Sequence, residues 1–89
     1  MALLPSRRFA EALPYLQKAV VAFPDVPQQY TVLISCYGHL GQLDEVPRLL
    51  ERRNRFSPPL TVSLNRRQLR DYPFGSVVAE GLSKAGVPE

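Results

Sequence analysis

Two side chains in this sequence carry nucleophilic or metal-binding chemistry, and each occurs once: the thiol of Cys36 and the imidazole of His39. They stand three apart, so a helix sets them on one face, and a Cys–His dyad is geometrically conceivable. No third residue is placed to orient the base, and one Cys with one His lacks the ligands of a zinc site. The expectation is therefore that Cys36 packs as a small buried hydrophobe and that His39 caps a helix end near its negative pole. The acids are Glu11, Asp25, Asp44, Glu45, Glu51, Asp71, Glu80 and Glu89, and only Asp44 and Glu45 are adjacent. They sit where a helix begins, and acids there are favoured by its dipole. No glycine-rich phosphate loop is present. No catalytic, metal or cofactor site is assigned, and the chain reads as a non-enzyme.

The arginines are the most uneven feature. Residues 48–70 hold seven of them against one acid, Glu51, so that segment carries +6 while the remainder totals −3. Arg48, Arg52 and Arg55 share one helix face by spacing, as do Arg66 and Arg70. Such a face can hold an acidic protein surface, a phosphate or a nucleic acid. It can equally be a solvated face whose arginines pair with Glu51 or Asp71. No aromatic residues interleave with the arginines, as stacking on single strands would require, so nucleic acid is the lesser expectation.

Some element must position these groups, and the chain is short. Its 89 residues allow one small domain with a thin core, which excludes doubly wound sheets and eight-stranded barrels. Hydrophobic residues make up 45% and charged residues 21%, a globular balance rather than a disordered one. A single cysteine excludes an internal disulfide framework. No secretory signal is visible at the start, and the longest fully apolar run, Ala19 to Phe23, is far too short to span a bilayer. A soluble, cytoplasmic protein without membrane contact is expected.

Shifting the sequence by 34 places Phe9 on Leu43, Ala12 on Val46, Leu16 on Leu50, Ala22 on Phe56 and Pro24 on Pro58. A period near 34 is that of a helix–turn–helix repeat. Phe9, Ala12, Leu13, Leu16, Ala19, Val20 and Phe23 form one helical stripe, so a helix is predicted from Arg7 to Phe23 with Ser6 as its N-cap. Phe23-Pro24-Asp25-Val26-Pro27 is a turn. A second helix is predicted from Pro27 to Leu40, with Tyr30, Leu33, Ile34 and Tyr37 inward, ending at Gly38-His39-Leu40-Gly41. A third runs from Leu43 to Phe56, with Val46, Leu49, Leu50 and Phe56 inward, and Ser57-Pro58-Pro59 breaks it. Pro14 and Pro47 fall inside helical patterns, where each removes one donor. Beyond Pro59 the repeat fades into a short helix over Thr61 to Leu69, with Leu60, Leu64 and Leu69 inward, and a turn at Asp71-Tyr72-Pro73. A last helix over Phe74 to Ala85, with Phe74, Val77, Val78 and Leu82 on one face, is stopped by Gly86. The expected fold is all-α with about five helices. Leu16, Leu33, Tyr37 and Leu50 should be buried where three helices meet.

In this register the residues resemble a tetratricopeptide repeat. Arg8 to Pro24 is similar to the second helix of one repeat, and Pro27 to Pro58 to a complete one. Tyr30, Leu33 and Tyr37 sit at the large inward positions of the first helix, Gly41 and Leu43 at the turn, and Pro58 at the terminating proline. Ile34, Val46 and Arg53 depart from the small residues usual there, which implies looser helix packing. The resemblance implies a single helical-repeat domain over 1–89, with a half repeat at 6–24, a full repeat at 27–59 and capping helices at 60–89. The Gly41–Val46 stretch and the tail from Asp71 to Glu89 are further similar to the C-terminal ends of certain bacterial regulators. In those, a nucleotide cyclase or DNA-binding domain precedes a tetratricopeptide array. A cyclase reaction itself is not expected here, since the acids are not placed to hold metal ions against phosphates.

The resemblance also implies a concave groove lined by outward positions of the first helix: Gln28, Thr31, Val32, Ser35 and His39. Gln28 and Val32 do not match the asparagine and lysine of the family's carboxylate-gripping grooves, so that specificity is not expected. The leading expectation is a protein–protein interaction module, with an acidic partner on the arginine face as the alternative. The first helix lacks the helix that should precede it in a repeat, and Ala10, Tyr15, Val21 and Ala22 lie outside its inward stripe. A homodimer through this helix follows as an expectation, with Leu13, Tyr15 and Leu3 or Leu4 at the contact.

Overall fold

The computed structural model describes residues 9–56, 59–68 and 75–89. The expectations resting on Leu3, Leu4, Ser6, Pro58, Leu69, Arg70, the 71–73 turn and Phe74 lie outside these residues. The described chain is all-helical, with five α-helices: α1 (Phe9–Ala22), α2 (Pro27–Leu40), α3 (Val46–Arg53), α4 (Val62–Gln68) and α5 (Gly75–Lys84). No strand occurs among the described residues.

Local chemistry sets most of the boundaries. Pro27 sits in the first turn of α2, where its fixed φ suits the helix and its missing donor would have had no partner. Gly41 closes α2 at φ 71°, and the Gly41 and Gln42 amides bond back to the Gly38 and Tyr37 carbonyls. Gly86 does the same for α5 at φ 86°, with Val87 buried just beyond it. The predicted third helix is shorter than its pattern. Leu43–Glu45 form one turn of 3-10 helix, and Pro47 then falls in the first turn of α3, where its lost donor costs little.

Helix α2 is the centre of the molecule: α1, α3 and α5 all pack on it, and α4 packs on α5. Its buried residues run through Tyr30, Thr31 and Leu33 to Gly38, almost all the way round. Leu16, Leu33 and Tyr37 are buried as expected, but Leu50 is only half-buried and its neighbour Leu49 takes the inner position. The reason is the inward row of α3, which is Val46, Leu49 and Arg53, spaced as i, i+3, i+7. Phe23, predicted inward, is 58% exposed because the α1 helix has ended at Ala22. In α5 the inner face is Val78, Ala79, Gly81 and Leu82, with Val77 at its edge.

The α2–α5 contact is made by small residues. A Cβ added at Gly38 would lie 2.0 Å from the Gly81 carbonyl oxygen, and one added at Gly81 would lie 2.1 Å from Ser35 Oγ. The backbones therefore touch. Across the seam Ser35 Oγ donates to the Val78 carbonyl at 2.8 Å. The α1–α2 turn is fastened by Tyr30, whose hydroxyl donates to the Pro24 carbonyl at 3.0 Å. Gln17 Nε2 donates to the Tyr37 hydroxyl at 2.9 Å and ties α1 to α2. At the other end, the first amides of α4, Val62 and Ser63, bond to the carbonyls of Pro88 and Glu89 in the tail. Those donors would otherwise lack partners.

Candidate functional site

The expected groove is not an open surface. Helix α5 covers the face of α2 that was to line it. Thr31 and Ser35 are buried, Ser35 is bonded to α5, and Gln28 and Val32 are half-buried. His39 stacks on the Phe9 ring at 4.0 Å, nearly parallel, with Nε2 2.8 Å from the Val77 carbonyl. A carbonyl only accepts, so Nε2 carries the proton. His39 thus joins three helices instead of only capping the end of its own. The resemblance to a tetratricopeptide repeat implied these five outward positions, and the repeat pattern does not reveal a second layer above them.

Cys36 packs as expected. It is fully buried, its thiol points to the Phe9 carbonyl at 3.3 Å, and burial pushes its pKa up to about 11. A thiol held in that form is a poor nucleophile. Neither bond partner of Cys36 or His39 is the other, so they form no dyad. Among the described residues no three His, Cys, Asp or Glu side chains gather as a metal ion would need. No helix there is long and apolar enough to cross a membrane.

The arginine segment divides into separate environments. Arg48 is exposed and paired with Glu45 one turn earlier. Arg66, on α4, lies 3.6 Å from the Glu89 carboxylate. Arg53 is buried against the core, and desolvation lowers its pKa. Arg52 and Arg55 remain exposed and share a cleft of about 380 Å³ with Pro24, Asp25, Tyr30 and Phe56. Spacing put Arg48, Arg52 and Arg55 on one helix face; α3 ends at Arg53, and of the three only Arg52 and Arg55 line the cleft. Spacing did not reveal the rest of the cleft, which is assembled from the α1–α2 turn, the start of α2 and the end of α3. The Tyr30 and Phe56 rings meet there with centroids 6.3 Å apart. No ion pair joins either arginine to Asp25.

The second surface is the outer side of α1 and the turn after it. Val21 is 80% exposed, Tyr15 62%, and Val26 39%, while Ala10 and Ala22 are also exposed. Leu13 belongs elsewhere: it is half-buried and packs on the core. No family model, curated protein or solved structure matches this chain.

Proposed function

We propose that the chain is a non-enzymatic helical protein–protein interaction module of tetratricopeptide-like design, about one and a half repeats with a helical cap. The observation that carries this reading is the outer surface of α1 and its turn, which holds Tyr15, Val21, Phe23 and Val26, four of the five exposed large apolar residues among the described ones, the fifth being Leu43. Scattered single apolar residues are ordinary, but several along one helix and turn mark a contact surface. The partner proposed for this surface is a second copy of the chain, paired about a two-fold axis, the commonest closed arrangement. The attendant proposal, from the resemblance to bacterial cyclase-like regulators, is a place at the end of a repeat array in a larger regulatory protein.

Light scattering after size exclusion at micromolar concentration tests the dimer. A mass of twice the 10.0 kDa chain is expected, falling to one chain in Tyr15→Glu and Val21→Glu. A single-chain mass that does not change on concentrating would refute it. Leu13→Glu is a poor probe, because the side chain packs on the core. A second reading, an acidic partner or nucleic acid on the arginine-rich segment, is favoured by one observation: Arg52 and Arg55 stand exposed at one cleft without an ion pair among the described residues.

A further inference from the structure

We infer that the cleft between the α1–α2 turn and the end of α3 receives an acidic peptide segment of a partner protein, with a carboxylate on Arg52 and Arg55 and an apolar side chain against Phe56. The inference deepens the interaction-module reading and rests on it; the cleft shares its edge residues Phe23 and Val26 with the surface proposed for the dimer, so a peptide and a second copy compete for that edge.

Charge comes first. Arg52 and Arg55 are exposed, line one cleft and have no ion pair among the described residues. Guanidinium groups are planar forks whose donors match a carboxylate in pairs. A folded chain gains little from two unpaired cations at one cleft, and a carboxylate from outside supplies the missing partner. Shape comes second. The cleft, about 380 Å³, is of the size that takes a large side chain, and half-buried Phe56 supplies an apolar wall. Its edge continues into apolar surface, because Phe23 and Val26 flank the lining residues Pro24 and Asp25 and are both exposed. A charged fork beside an apolar wall fits a peptide that places an acid next to a Phe or Leu.

Two observations favour a peptide over a nucleic acid. Tyr30 is 5% exposed, so its ring offers no free face on which a base could stack. Among the described residues outside the cleft, Arg48 is paired with Glu45, Arg66 with Glu89, and Arg53 is buried.

The test uses the full chain, isotopically labelled, titrated with synthetic nine-residue peptides while amide shifts are followed by NMR. The first peptide alternates Asp or Glu with Phe and Leu, the second replaces its Phe and Leu by Ser, and the third replaces its acids by Gln. A thymidine hexamer is the fourth probe. Saturable shifts at Asp25, Arg52, Arg55 and Phe56 are expected with the first peptide, at a Kd below about 1 mM. Arg52→Gln and Arg55→Gln should each weaken it about 5- to 20-fold, and Arg66→Gln less than about twofold. Asp25→Asn should tighten it. The second and third peptides should each bind at least about fivefold more weakly. These positions are exposed, and unchanged melting of each variant confirms its fold. No saturable shift with the first peptide overturns the inference, as do shifts confined to Arg66 and its neighbours. Equal binding by the Arg52→Gln, Arg55→Gln double variant or tighter binding of the thymidine hexamer overturns it too. The interaction-module reading fails separately, if the chain also remains a monomer that does not respond to concentration.

Discussion

Gly38→Ala gives the sharpest test of how this molecule is built. The new methyl carbon would lie 2.0 Å from the Gly81 carbonyl oxygen and 3.0 Å from the Ala85 amide nitrogen. Ordinary carbon–oxygen contact needs about 3.4 Å, so the backbones must part by more than about 1 Å. Both obstacles are backbone, so no side chain can swing away, and α5 itself must move. Such overpacking costs about 1–3 kcal/mol. The same movement pulls on the 2.8 Å bonds from Ser35 to Val78 and from His39 to Val77, each worth about 1 kcal/mol. Alanine returns about 1 kcal/mol through its better helix propensity. The net loss is about 3 kcal/mol, a large share of the roughly 5–10 kcal/mol that holds so small a domain. Thermal unfolding followed by circular dichroism should show Tm lower by about 12–24 °C. Gly41→Ala is the control: nothing lies within 4 Å of its added Cβ, and its positive φ alone should cost about 1 kcal/mol. The sign decides the matter. If α5 did not rest on α2, Gly38→Ala would stabilise the chain through propensity, so a variant that melts at or above the parent refutes the packing described here.

Two further predictions concern buried groups. Cys36 should react with a maleimide at pH 8 only as fast as the chain opens, and rapidly in concentrated urea; prompt stoichiometric labelling of the folded chain would contradict its burial. Its pKa rises from 9.0 in the open chain to about 11 in the fold. The unfolded thiol therefore sheds its proton first, so this residue costs no stability below pH 9 and erodes it as pH climbs toward 11. The decline in urea midpoint over that window should be shallower in Cys36→Ala. Asn65 is fully buried in α4, and neither polar atom of its side chain has a hydrogen-bond partner. Asn65→Ala should therefore leave stability within about 1 kcal/mol of the parent, because removing an unsatisfied amide and raising helix propensity offset the lost contacts. A loss above about 2 kcal/mol in urea unfolding would show that the amide is bonded after all.

Residue spacing by itself determined the all-helical class and most of the helices, though α3 is shorter than its pattern, and the lone thiol of Cys36 pointed to a buried packing role. Local signals carry that information: Pro27 must begin a helix, Gly41 and Gly86 relieve the positive φ at helix ends, and the Phe9–Ala12–Leu16 stripe repeats with the helical turn. Its pattern also placed Arg48, Arg52 and Arg55 on one helix face, but α3 ends at Arg53, and the turn after it carries Arg55 to the cleft with Arg52 and without Arg48. Tertiary structure decided which faces survive as surface. The groove positions Ser35 and His39 were outward only by the resemblance to a repeat, which does not count the further helix that covers them. The available signal was the small-residue face of Ser35 and Gly38, with Gly81 in a helix interior, since such residues let backbones touch. Gly38 read as a stop because it stands next to the true stop at Gly41. Burial of Arg53 was equally hidden: its charge marks it as solvated, while its place seven residues after Val46 sets it on the inner row of α3. The cleft was beyond reach of any local pattern. Tyr30 and Phe56 meet from positions 26 apart in the chain, and only the packing of α3 against α2 brings the two arginines to the α1–α2 turn.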